Sequence, residues 1–469
     1  MLADTDYLVV GAGATGLAFV DALVAETDAD VIVVDRQAAA GGHWLHAYPF
    51  VRLHTPSAFY GVNSLPLGQD RIDAGGENAG YYERARGDEV RAYFAEVAGR
   101  LAQTGRVRML MQHEHLGPGT IGEHVRDVST GTLHDVAVRR KVVDARYLES
   151  SIPATHALPF EVGASTRVVP VNDLPAAAGS VSLYAVLGSG KTAADACTWL
   201  LGSGVDADRI RWIRPRDAWF YDRKHFQPLE QVGAIMEGLA LDAEAGAQAA
   251  SIDGVFEQLE ASGRLVRVDP SSPASMFRGT MLSARELASL RQISDVVRLG
   301  RIRRIEADRI VLERGEIRTG ADVLHIDCTA LGLNNAPATA IFQPGRIVLQ
   351  QVRHLTPSFN AAVIAFVEAH WDDDTAKNRL CPPNAYPSST HDWPRMMART
   401  WRTEGLWLSE PELSAFVAAS RLNLLGALPD HAAEPSVQAA VARYLTHVSA
   451  AVKRLEQLDR SAHTDPAPR

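Results

Sequence analysis

Two glycine-rich hexapeptides stand out in the 469-residue chain: GAGATG at residues 11–16 and GSGKTA at residues 188–193. Each follows a short apolar run, YLVV at 7–10 and VSLYAVL at 181–187, and each opens into helical apolar spacing. Strand, glycine turn and helix in that order make a cradle for a dinucleotide. The first glycine permits the tight turn, the second lets the backbone approach a pyrophosphate, and a small third residue lets helix and strand pack closely. The helix start adds unpaired N–H groups and partial positive charge. In the first unit the next apolar run, 31–34, ends at Asp35, whose carboxylate can accept both ribose hydroxyls and repels a 2′-phosphate, so FAD or NAD fits. In the second unit the corresponding strand, 209–213, runs into Arg214-Pro215-Arg216. Guanidinium pairs bidentately with phosphate, which favours NADP(H) over NAD(H) there.

These spacings name the candidate binding residues. Gly11, Gly13, Ala14, Thr15, Gly16, Asp35 and Arg36 are expected at the first nucleotide. Gly188, Ser189, Gly190, Lys191, Thr192, Arg214 and Arg216 are expected at the second, with Lys191 adding charge near the pyrophosphate. A P-loop reading of GSGKT fails, because the position five before Gly190 is Ala185 where a triphosphate loop needs glycine.

After Asp35 the chain continues Gly41-Gly42-His43-Trp44, then Tyr48-Pro49 and Arg52. This succession resembles the FAD-binding segment of the flavin-containing monooxygenase and Baeyer–Villiger monooxygenase group. There an acidic strand end is followed by GG-x-W and a Tyr-Pro-x-x-Arg stretch. The resemblance implies that Gly42, His43, Trp44 and Arg52 lie along FAD, and that Asn334, with Asn335 after a late strand, approaches the flavin ring. His43, His46 and His54 are read as surface or packing residues in preference to catalytic ones.

The elements that must hold these residues give an α/β fold. Two Rossmann-like dinucleotide-binding domains are expected: an FAD domain from residues 1–165 and 320–400, an NAD(P) domain inserted at 166–319, and a C-terminal helical cap at 401–460 with a frayed tail at 461–469. A helix at 88–103 precedes a strand at 107–111, and the alternation over 125–143 predicts a β-meander. The Ala-rich stretch 222–295 reads as a helical insert over the interdomain cleft. The run 322–327, followed by Cys328-Thr329-Ala330, is expected to return the chain to the FAD domain.

Composition narrows the class. The net charge of −9 argues against general nucleic-acid binding. Three scattered cysteines, Cys197, Cys328 and Cys381, exclude a dithiol relay and a cysteine zinc site. Neither a signal peptide nor a membrane span is expected, so the chain reads as cytoplasmic, without metal, and acting on a small molecule; its oligomeric state stays open. A flavin beside a nicotinamide implies hydride transfer between them. Three readings remain: a monooxygenase, which leads; a reductase passing electrons to a small acceptor or protein; and a flavin-binding redox-responsive protein without turnover. The F-x-G-x-x-x-H pattern that the group carries before its second glycine loop is absent, since residues 167–174 read RVVPVNDL. Catalytic residues are not assigned. Trp219, Phe220, Tyr221, Arg223, Lys224 and His225 are candidates to flank nicotinamide or substrate, with packing as the alternative.

Overall fold

A computed structural model describes residues 3–119, 122–179, 181–333 and 336–464. Its first sheet is built from two separate stretches of chain. Strands run Phe342–Gln343, Arg346–Val348, Leu133–Asp144, Ala3–Val10, Val31–Asp35 and Val107–Met111 in spatial order, all parallel except the terminal hairpin. The Val/Ile-rich runs suit a sheet covered on both faces. Tyr7, Val9, Val31 and Val33 meet helix Ala14–Glu26 through Leu17, Phe19 and Leu23. Leu8, Val10, Ile32 and Val34 face the other way, onto Val125 and Val136. Those two belong to the meander that the alternation predicts, His113–Pro118, Glu123–Asp127 and Leu133–Asp144, paired antiparallel.

The second sheet is wholly parallel, in the order Val296–Val297, Ile210–Ile213, Leu183–Leu187, Val323–Asp327 and Val168–Pro170. One face buries Val186, Ile210, Trp212 and Ile326 beside Ala193, Cys197 and Leu200 of helix Lys191–Gly202. The other buries Ala185, Leu187 and Ile213 under Ile305, Ile310 and Leu312 of a small four-stranded sheet.

Three expectations need correction. Strand Val323–Asp327 does not rejoin the first sheet; it pairs with Leu183–Leu187, and Arg346–Val348 makes the return. The insert is not purely helical. Beside helices Gly233–Gln248 and Ile252–Ala261 it holds strands Leu265–Arg267 and Ala274–Leu282, which pair with Asp217–Asp222. The expected tail is helical in its first four residues, because helix Pro435–Thr464 continues past 461, and 465–469 lie outside the described residues. That helix packs along Gly233–Gln248, where the missing side chain of Gly246 admits Ala451 and Leu455. Among the described residues no helix is long and apolar enough to cross a membrane.

Candidate functional site

The first glycine loop leaves strand Ala3–Val10 at Gly11, whose φ of +113° is open to glycine without strain. Gly13 caps helix Ala14–Glu26 without a side-chain hydrogen bond, so the first amides of the helix are left for a ligand. Gly41 donates its N–H to the Ala12 carbonyl at 2.9 Å, and a Cβ on Gly42 would stand 3.1 Å from the Gly13 Cα. The two glycine segments therefore pack backbone to backbone, and at Gly42, where φ is +57°, a side chain would be both strained and crowded. Asp35 ties the loop down: one carboxylate oxygen accepts from Ala12 N–H at 2.7 Å and the other from Gln37 N–H at 2.8 Å.

Other expected residues of this site divide. Thr15 lines a small cavity with Gln350, Gln351, Pro357 and Tyr386. Two polar atoms of these lining residues, Gln351 Oε1 and the Tyr386 hydroxyl, are buried with no hydrogen-bond partner among the described residues. The Gln351 amide nitrogen meanwhile holds the Asn384 and Ala385 carbonyls at 3.1 and 3.3 Å. Trp44 is buried and donates to the Tyr60 hydroxyl at 2.7 Å. His43 is exposed at the surface, although surrounding protein lowers its imidazole pKa to about 4. Arg36 instead points outward and pairs with Glu149, and Arg52 donates to the Arg84 carbonyl at 3.2 Å. Asn334 lies outside the described residues.

The second loop repeats the backbone of the first. Gly188 has φ +133°, its carbonyl accepts from Trp212 Nε1 at 2.7 Å, and a Cβ would come within 2.6 Å of the Cys328 carbonyl oxygen. Gly190 caps helix Lys191–Gly202 without a side-chain bond and faces open space. Ser189 is buried beside it, with Thr192 half-buried on the first turn.

The charged residues of this loop depart from expectation. Lys191 does not reach toward a pyrophosphate. Its ammonium is buried between Asp195 and Glu286, the latter at 3.3 Å. Arg214 is buried over the Trp212 ring and pairs with Asp217 at 3.1 Å, and Asp217 also takes Arg298 at 2.8 Å. Arg216 is different. Its backbone N–H meets Ser189 Oγ at 3.5 Å and its side chain reaches Met276 Sδ. Arg278 lies close enough that burial and the Arg216 charge together lower its pKa. Among the described residues neither guanidinium has an ion pair.

Between the loops sits a buried ion cluster that the sequence did not announce. Glu286 meets Arg223 at 2.6 Å, Lys191 at 3.3 Å and Arg84 at 3.7 Å. Burial alone would raise its pKa; the three cations outweigh burial and hold the carboxyl well below its ordinary 4.5. Asp195 accepts from the Tyr48 hydroxyl at 2.6 Å, joining the two sheets' segments again. Glu77, half-buried nearby, is pushed up to about 7 by burial and by Glu286. The sequence singles out Lys191, Arg223 and Tyr48 for other roles; of the members it misses, Arg84, Glu77, Asp195 and Glu286, only Asp195 carries a signal, four residues beyond Lys191 on one helix face. Trp219, Phe220 and Tyr221 are core residues and Lys224 pairs at the surface with Asp222. His225 is buried and held neutral, its pKa pushed down to about 2 by burial and by Arg264.

No protein-family model matches the chain. The uncharacterized protein Rv2000 of Mycobacterium tuberculosis is 42% identical over 438 residues, 93% of this chain and 80% of the relative. The uncharacterized protein Mb2023 of Mycobacterium bovis matches to the same extent. Among solved structures, an oxidized steroid monooxygenase bound to NADP superposes with a TM-score of 0.51 at 15% identity, over 78% of this chain and 85% of that one. The open structure of cyclohexanone monooxygenase gives 0.50 at 15%, over 80% and 87%. The chain thus belongs to the family of these mycobacterial proteins, and its fold is the two-dinucleotide-domain fold of the flavin monooxygenases.

Proposed function

We propose that the chain is an FAD-dependent oxidoreductase reduced by NADPH, of monooxygenase type, acting on a small organic molecule. One observation carries the reading. Two glycine loops end at uncapped helix starts, each after a parallel strand, one braced by the Asp35 carboxylate, the other flanked by the guanidiniums of Arg216 and Arg278, which among the described residues have no ion pair although Arg278 donates to the Leu331 carbonyl. An acidic cradle suits an unphosphorylated ribose and a cationic one suits a 2′-phosphate.

The residues present fit FAD at the first loop. The helix start after Gly13 has no side-chain cap on its first amides, and among the described residues Gln351 Oε1 and the Tyr386 hydroxyl, on residues that line a cavity with Thr15, have no hydrogen-bond partner. When bound, a flavin supplies hydride acceptance from nicotinamide and onward reactivity with dioxygen or another acceptor. The protein's part is to hold the two nucleotides, keep the intervening space dry and set its charge. The NADP named for the steroid monooxygenase supports the same donor here. The missing F-x-G-x-x-x-H pattern at 167–174 favours a second reading, a reductase passing electrons to a small acceptor.

Purified protein tests both. Absorption bands of an oxidised flavin at ~450 nm, bleached anaerobically by NADPH in preference to NADH, are expected. Substrate-dependent oxygen consumption then supports the monooxygenase, and anaerobic acceptor reduction without it supports the reductase. Protein that stays colourless when FAD is supplied overturns both.

A further inference from the structure

Residues 41–50 touch both cradles. At one end Gly41 donates to the Ala12 carbonyl at 2.9 Å and Gly42 lies against Gly13, backbone on backbone. At the other end three contacts cross to the second sheet and its helix. The His46 carbonyl accepts from Asn172 Nδ2 at 2.9 Å, just beyond strand Val168–Pro170. The Tyr48 hydroxyl donates to Asp195 Oδ2 at 2.6 Å. The Phe50 ring stacks on Trp199, with centroids 5.3 Å apart and 24° between the planes, and also meets the Tyr48 ring at 4.9 Å.

Asp195 and Trp199 are four residues apart and so share one face of helix Lys191–Gly202. Ala193, Cys197 and Leu200 of the same helix are buried against its own sheet. That helix starts at Gly190, so whatever holds it also holds the amides of the second loop. Past Phe50 the chain is fastened again within the first domain. The Val51 carbonyl accepts from Gly87 N–H at 3.1 Å, and Leu53 N–H donates to the Ala85 carbonyl at 3.0 Å. The segment is short as well as fastened: the six steps from Gly42 to Tyr48 can span at most about 21 Å, and residues 42–46 are already coiled into a turn of 3-10 helix. Glu286 and its three cations tie the same parts of the molecule together, but all four lie outside residues 11–16 and 41–50.

Reacting groups held by two separate sheets must meet within about 3–3.5 Å, and a misplacement of about 1 Å costs on the order of a hundredfold in rate. We propose that residues 41–50 are the spacer that sets this approach, with Tyr48 and Phe50 as positioning residues that act through Asp195 and Trp199. This rests on the FAD/NADPH reading above, in which a hydride, one proton with two electrons, leaves nicotinamide and is taken up by flavin. The spacer makes and breaks no bond; it fixes the distance and tilt between the two cradles.

Wild type is compared with Tyr48→Phe, which removes one hydroxyl and keeps the ring, with Phe50→Ala, and with the double variant. Spin labels on Ala95→Cys and Ala307→Cys read the spacing in flavin-free protein. Both positions are exposed, one on helix Gly87–Gln103 and one on the small four-stranded sheet over the second, and the native cysteines are buried. A narrow distance distribution in wild type and a broader or displaced one in the double variant are expected. In flavin-loaded protein, stopped-flow reduction by NADPH separates affinity from limiting rate. The limiting rate should fall about tenfold in Tyr48→Phe and about a hundredfold in the double variant, with flavin content and the NADPH dissociation constant held within about twofold. Unchanged distances overturn the proposal, as does an unchanged limiting rate beside a lowered melting temperature, which marks a structural role alone. So does a loss of NADPH affinity as large as the loss of rate, which would place the segment in the nucleotide site. If the double variant does not fold, the near-isosteric Tyr48→Phe decides by the same readouts. A wild type that takes up no flavin sinks the cofactor reading instead, a distinct outcome seen before any variant is made.

Discussion

The two glycine loops share a strand, a first glycine at positive φ and an uncapped helix start, but they differ in how their charges are used. In the first, Asp35 grips the loop's own backbone through Ala12 and Gln37. In the second, Lys191 and Arg214 are drawn sideways into buried pairs with Asp195, Glu286 and Asp217. A short aspartate at a strand end has few places to go. A lysine or arginine can swing several ångströms to the nearest carboxylate, and once buried it must be paired. The motif thus fixes backbone geometry in both cradles, while the guanidiniums without an ion pair among the described residues at the second are those of Arg216 and of Arg278 from a different strand, the two that the proposed function assigns to a phosphate.

The sharpest way to break the likeness is at the third motif position. The second loop carries Ala193 there, fully buried, whereas a Cβ on Gly16 would collide with the Gly11 carbonyl oxygen. Gly16→Ala is expected to cost more than about 3 kcal/mol and to abolish flavin retention. Ala193→Gly should cost only about 1 kcal/mol, chiefly helix propensity. Urea unfolding and flavin content of the two variants measure the contrast; similar losses would mean that the two turns are equally tight.

Glu286 comes next. Glu286→Ala leaves Lys191, Arg84 and Arg223 buried together without their shared carboxylate, an expected loss of about 3–5 kcal/mol. The pH signature follows from the lowered pKa. Wild type binds fewer protons at this site folded than unfolded, so the contribution is complete above the ordinary 4.5 and is lost as pH falls below it. Glu77 has the opposite sign, because its raised pKa makes stability fall as pH climbs from 4.5 toward about 7. Denaturant titrations from about pH 2.5 to 8 on Glu286→Ala and Glu77→Gln read the two slopes, the first below 4.5 and the second above it, and parallel curves for wild type and both variants would contradict the assignment.

How much of this was legible in the sequence follows from the range of each interaction. The glycine loops, Asp35, helix Gly87–Gln103 and the meander are local, set by neighbours a few residues away, and their patterns are visible in the chain. The placement of Val323–Asp327 in the second sheet was not legible, since a buried parallel strand looks alike in either sheet and partner choice is made at long range. Glu286 gave no motif because its partners come from three separate stretches of chain. Arg278 was hidden inside a segment whose alanine-rich helices suggested that all of it was helical.

The cationic side of the comparison is sharpened by separating Arg214 from Arg216 and Arg278. Arg214→Met should destabilise by about 2 kcal/mol, cushioned because Asp217 keeps Arg298, and should leave the preference for NADPH over NADH unchanged. Arg216→Ala with Arg278→Ala should instead leave the melting temperature almost unmoved and shift that preference about tenfold toward NADH. Steady-state KM values for the two nucleotides decide it. A selectivity change in the Arg214 variant would restore that residue to the site from which its burial removes it.

The smallest expected effect lies at the first cradle. The Tyr386 hydroxyl is buried without a hydrogen-bond partner among the described residues, and an unsatisfied buried polar group weakens the ligand-free protein. Removing it with Tyr386→Phe takes away no protein hydrogen bond, so the flavin-free form should be as stable as wild type or slightly more so, by less than about 1 kcal/mol. With flavin bound the sign should reverse. If the hydroxyl completes its hydrogen bond on the cofactor beside Thr15 and Gln351, the Phe variant binds FAD about threefold to tenfold more weakly. Quenching of flavin fluorescence on titrating the two flavin-free proteins measures that difference. Equal affinities would mean that the hydroxyl faces no ligand, and that Gln351 alone supplies the polar end of this cavity.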